Sequence, residues 1–218
     1  MANSRQGDEG MRGLFAIDGN IYNYMLKLYE VMVLNLLFII ASLPIITIGA
    51  ALTALYDVTL KMQVGIEKEM TRSFVKSFRK NGMQATKIWL TFLGFIAIAC
   101  LAISLVNGHP VVFLPLLYLS VLVVGTLPYT FSLVATFENK TGVMMRNGLM
   151  LAMQHVPHTL IMISIAGLLC LYLPIYQRWL LLPVIMLGFS LTAVIQSHFI
   201  FGILVKLVGE EEVTDRET

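Results

Sequence analysis

Ser42-Leu43-Pro44-Ile45-Ile46-Thr47-Ile48-Gly49-Ala50 sits inside an uncharged run, residues 31–56, and carries a helix breaker at its middle. Pro44 has no backbone N–H and disfavours helical geometry at Leu43, so a break is expected there. A chain that passes straight through makes one kinked transmembrane helix and five spans in all. A chain that turns makes a helical hairpin and six. Thr47 stands where its hydroxyl can accept an N–H from the first turn of a new helix. Gly49, Ala50, Ala51, Thr53 and Ala54 are the small residues that let transmembrane helices approach closely. Pro44, Thr47 and Gly49 are therefore read as a structural turn.

Working outward, the chain of 218 residues is 57% hydrophobic and only 13% charged, against ~25% charged in soluble domains. Uncharged runs at 31–56, 88–137, 147–177 and 179–205 each reach the roughly 20 residues a helix needs to cross the bilayer core. The second is long enough for two spans. Backbone groups in hydrocarbon must be satisfied within the segment, so such runs imply helices. The alternation of a transmembrane barrel is absent. The fold class is thus all-α, a polytopic transmembrane helical bundle.

Charge chooses between the two span counts, because lysine and arginine of short loops gather on the cytoplasmic side. Six spans leave only Arg178 of the 15 basic residues outside, whereas five spans leave four outside. Six helices are preferred, at about 21–43, 48–65, 88–106, 111–137, 149–176 and 179–205. Residues 1–20 and 206–218 are then cytoplasmic tails. No cleaved signal peptide is read at the start. Cys100 and Cys170 fall in apolar runs and are read as small hydrophobic residues.

Between the second and third spans, about 69–81, Met70, Phe74 and Phe78 recur every four residues among basic side chains. That pattern is a short basic amphipathic helix, expected on the membrane surface. Lys68, Arg72, Phe74, Lys76, Phe78, Arg79 and Lys80 are its candidate contacts to anionic lipid or a protein partner. Residues 107–110 read as a compact turn, 138–147 as a polar loop and Gln177-Arg178 as a tight connection.

Asp57 and Lys61, at i and i+4, share a helix face and can pair. Asn35, Gln196 and His198 are the other polar side chains in strongly apolar surroundings. Ionisable and polar groups inside a membrane either serve function or hydrogen-bond across helices, and both readings stand for these five residues. His155 and His158 flank Val156-Pro157 without nearby cysteine or carboxylate ligands, so no metal site is read. Phosphate loop, nucleophile elbow and HExxH patterns are absent, so no catalytic residue and no cofactor is assigned, and the chain is expected not to be an enzyme. No nucleic-acid partner is expected, and oligomeric state is left open.

Leu34-Asn35-Leu36-Leu37-Phe38, Ser42 to Ala50, Thr53-Ala54-Leu55-Tyr56, Leu60-Lys61-Met62 and Phe74-Val75-Lys76-Ser77-Phe78-Arg79-Lys80-Asn81 form an ordered set. In that set the first third of the chain resembles the YesL family of bacterial membrane proteins. Two departures are Gly82 after Asn81, where an aromatic or aliphatic residue is usual, and Gln63-Val64-Gly65-Ile66 at a helix end usually more charged. The resemblance implies a multi-pass protein whose genes often neighbour those of carbohydrate ABC-transporter permeases and two-component sensors. On it rests the expectation of an accessory or regulatory role in carbohydrate uptake or sensing, with a permease or sensor-kinase subunit as partner. The alternative is a small-solute transporter or channel with Asp57, Asn35 and His198 along a polar route.

Overall fold

The computed structural model describes residues 20–65, 69–105 and 110–217, with side chains over 24–65, 69–105 and 113–206. The first 19 residues, Lys68 and the turn residues Asn107, Gly108 and His109 lie outside the described residues. Helix α1, Asn20–Ser42, ends two residues before Pro44, and a 3₁₀ turn over Ile45–Thr47 leads into α2, Ile48–Val64. The chain turns at Pro44, and six spans result. They are Tyr24–Ser42, Ile45–Val64, Met70–Leu105, Phe113–Thr136, Val156–Tyr176 and Arg178–Lys206. The protein is an all-α, multi-pass membrane bundle.

Thr47 does not cap α2 in the expected way. Its hydroxyl donates backwards, to the carbonyls of Ala41 at 2.7 Å and Pro44 at 2.8 Å. It satisfies the Ala41 carbonyl at the end of α1 and shares the Pro44 carbonyl with its own backbone N–H, and the 3₁₀ turn takes over the start of α2. Gly65, with φ of 70°, closes α2 in the left-handed conformation that glycine adopts without strain.

Helix α2 is the central post of the bundle. Ala50, Ala51, Ala54, Leu55, Tyr56 and Val58 are all buried, and α3, α4 and the last helix pack around them. Close approach to α3 is made possible at Gly49. A Cβ placed there would lie 2.5 Å from Trp89 Cβ and 2.6 Å from the Ala85 carbonyl oxygen. The small-residue reading of this stretch is thus a backbone contact in space.

Helix α3 runs unbroken over Met70–Leu105, so the basic amphipathic stretch and the third span form one element rather than a surface helix and a separate span. Residues 82–87 contain no proline, and buried Ala85 and Ile88 knit the junction to the core, so continuing the ladder costs less than breaking it. Phe74 is correspondingly not exposed. It is buried, and Phe78, partly buried, stacks beside it.

Helix α4, Pro110–Thr136, carries Pro115 and Pro128 within it. The segment expected as a polar loop is helical from Thr141: α5, Thr141–Gln154, fills it and ends at His155. Pro157 then restarts the chain as α6, Val156–Gly167. A π-helical turn, Leu168–Tyr172, joins α6 to α7, Leu173–Tyr176, which ends at Gln177. After a 3₁₀ turn at Arg178–Leu180 come α8, Leu181–Pro183, a second π-helical turn, Val184–Gly188, and α9, Phe189–Glu217. Helix α9 therefore continues past residue 205.

Candidate functional site

Buried polar groups gather along the seam where α2 meets α9. Tyr56 donates its hydroxyl proton to Gln196 Oε1, and Gln196 Nε2 donates to the Met162 carbonyl of α6 at 3.0 Å. One turn along, the hydroxyls of Thr59 and Ser197 lie 2.6 Å apart. Gln63 continues the same face toward the Val194 carbonyl and His198 Nδ1. Tyr56, Thr59 and Gln63 recur at helical spacing, which is what turns one face of α2 into a polar ladder.

Asn35 of α1 makes a different contact. Its Nδ2 donates to the Ile185 carbonyl at 2.6 Å, and its Oδ1 accepts from the Ser190 N–H at 2.9 Å. These two backbone groups are five residues apart, the pair that a π-helical turn would join to one another. A fully buried side-chain amide thus bridges the backbone groups of that turn.

Beside the Tyr56–Gln196 pair lies a cavity of about 340 Å³, walled by Phe38, Leu55, Leu127, Phe131 and Ile163. Its polar atoms come from Tyr56, Gln196 and the Cys170–Thr192 contact at 3.6 Å. A mostly apolar chamber with a few converging polar groups is the usual character of a small-ligand site.

Asp57 and Lys61 form the expected ion pair, at 2.8 Å, with the aspartate side chain 13% exposed and the lysine 41%. The lysine end reaches the bundle surface. His198 is exposed, so Asn35, Asp57 and His198 occupy separate places: a π-turn bridge, an intrahelical ion pair and a surface position. Gln196 alone among the five polar candidates borders the central cavity. His155 and His158 stand with ring centroids 6.0 Å apart, and no group of three metal-ligating side chains occurs among the described residues.

Past the C-terminal end of α2, the first turns of α3 present Arg72, Lys76 and Arg79 to a groove of about 870 Å³ shared with Tyr29, Glu30 and Val33 of α1. Arg72 pairs with Glu69 at 3.2 Å and Lys80 with Glu138 at 2.6 Å, both at the surface. Lys76 and Arg79 make no ion pair among the described residues. The Lys80 ammonium, by its hydrogen bond and charge, holds the Glu138 carboxyl below the usual range.

Tyr56, Thr59, Ser197 and Thr192 are not among the candidate site residues read from the sequence, and Cys170 is read there as a small hydrophobic residue. Their signal was there in part, since Thr192 and Gln196 share a face at i, i+4, but a lone hydroxyl in a membrane run is commonplace.

Residues 31–103 match the family described as Protein of unknown function, DUF624. Over those residues the chain is similar to that family. YesL proteins contain this domain, so the match and the resemblance agree. The DUF624 segment comprises most of α1, the turn, α2 and nearly all of α3, and so includes the Gly49 contact, Asn35, Tyr56 and the basic face. The partners of its polar ladder on α9 lie beyond it. No curated protein and no solved structure matches the chain.

Proposed function

We propose that the protein is an accessory or regulatory membrane component of bacterial carbohydrate uptake or sensing, acting on a permease or sensor-kinase subunit through the basic face of α3. The observation that carries this reading is the groove at Arg72, Lys76 and Arg79, exposed and with two cations free of ion pairs among the described residues, on a helix continuous with the core. By contrast, Asn35, Tyr56 and Gln196 are committed to interhelical bonds. An even number of spans is consistent with both ends on one side, and the distribution of lysine and arginine supports reading that side as cytoplasmic. The basic face then meets cytoplasmic partners.

Pull-down of the full chain from native membranes tests the proposal. Enrichment of a permease or sensor-kinase subunit, lost in Lys76→Glu with Arg79→Glu, is expected. No enrichment, with unchanged growth of a deletion strain on every complex carbohydrate, overturns it.

The 340 Å³ cavity favours a second reading, a small-solute transporter or channel. Liposome flux that falls in Gln196→Leu supports it, and flux no greater than that of empty liposomes rejects it.

A further inference from the structure

A second apolar recess lies away from the seam, a cleft of about 500 Å³ between α3 and α4 whose end is formed by α5. Phe92, Phe95 and Ala99 form one wall, and Leu119 and Val123 the other. Ser120 and Thr126 also line it, yet their hydroxyls donate to the Leu116 and Leu122 carbonyls of their own helix, so the walls present an apolar surface. Phe95 and Leu119 are exposed, which in a membrane bundle means that the cleft opens sideways to lipid.

One end of the cleft differs from the rest. Gly148 of α5 sits against Thr130 of α4 so closely that a Cβ there would lie 2.1 Å from the Thr130 hydroxyl. This contact fixes α5 beside the C-terminal half of α4, and it sets Arg146 at that end of the cleft. Arg146 is exposed and makes no ion pair among the described residues. From Phe92 to Cys100 the cleft extends about 12 Å along α3, at ~1.5 Å per residue. One leaflet of hydrocarbon is about 15 Å deep, half of the bilayer core.

We propose that this cleft is a phospholipid site, holding one acyl chain along α3 and α4 with a net-negative headgroup against Arg146. Depth, lateral opening and a single unpaired cation at one end are the three features such a lipid matches. The site is separate from the basic groove at the start of α3 and does not depend on the carbohydrate-related reading.

The experiment uses the full chain in phosphatidylcholine nanodiscs containing a trace of phospholipid with a photoactivatable group midway along one acyl chain. The probe carries either a phosphatidylglycerol or a phosphatidylcholine headgroup, and adducts are mapped by mass spectrometry. Phosphatidylglycerol adducts should concentrate on residues 92–100 and 119–126, about fivefold above phosphatidylcholine, as one favourable basic contact at a membrane surface allows. Arg146→Gln, at an exposed position, should abolish that preference. Ala99→Trp should remove the cleft adducts of both probes and leave those at Leu36 and Leu182. Adducts spread evenly over Leu36, Ile98, Tyr118 and Leu182 would mark ordinary surrounding lipid and overturn the proposal. So would a preference that survives Arg146→Gln, or a cleft shielded from both probes, as a second copy of the chain would shield it.

Discussion

At the scale of single residues, Asn35 is the side chain whose loss has the clearest consequence. It satisfies the Ile185 carbonyl of the second π-helical turn and the Ser190 N–H at the start of α9, and both are left without that partner when it is truncated. Asn35→Leu should cost about 1–3 kcal/mol, read as a lower melting temperature in detergent. A melting temperature equal to that of the native chain would show that the π-helical turn closes on itself. Tyr56→Phe and Gln196→Leu form a double-mutant cycle whose coupling is expected near 0.6 kcal/mol, typical of hydrogen bonds between membrane helices. Strict additivity would argue against the bond. Asn35 and Gln196 stood out in the sequence because an amide in an apolar run has few places to go. Their partners did not, since Ile185 and Met162 offer only backbone carbonyls and every residue has one.

Among the elements, α2 and α3 depend on the glycine that lets them touch. Gly49→Val must push Trp89 and the Ala85 carbonyl aside, and backbone does not yield cheaply, so loss of the folded protein in detergent is expected. Gly82→Val, where a Cβ meets only Ala50 Cβ at 3.9 Å, should be tolerated far better and serves as the comparison. Lys80 and Glu138 tie α3 to the connection before α5. Because Glu138 is held below the ordinary glutamate value, near 4.3, its small contribution is complete above that pH and disappears as pH falls through the lowered value. Melting curves should therefore separate native chain from Glu138→Gln at pH 7 and bring them together as the pH falls through the lowered carboxyl value. The sequence located the apolar helices because hydrocarbon demands them, and Pro44 marked the turn. It did not show that residues 70 and 105 share one helix, because a change from amphipathic to apolar character is a change of surroundings, not of backbone. Nor did it show that α5 begins at Thr141, where polar residues were taken for a loop.

For the whole molecule, six spans make a prediction of sidedness. In a chain without Cys100 and Cys170, Gln177→Cys and Asn139→Cys should be labelled by an impermeant thiol reagent from opposite faces, and Ile46→Cys from the Gln177 face if α2 crosses the bilayer in full. Ile46→Cys left unlabelled from the face where Gln177→Cys reacts would return the count to five. The bundle class was legible from composition alone. The central cavity was not, because its walls come from α1, α2, α4, α6 and α9, which only the packed bundle brings together.

Helix α3 has 36 residues, so as a straight rod it measures about 54 Å, against about 30 Å of hydrocarbon. Roughly half of that length, residues 70–87, precedes the apolar run, a stretch of about 27 Å whose Phe74, Ser77 and Ala85 are buried in the bundle, Ala85 against Gly49 of α2. A tilt of about 10° of the rod about that glycine contact would carry the Met70 end through about 4 Å. Rearrangements of helix packing would thereby move α2 and the Arg72, Lys76 and Arg79 side chains together.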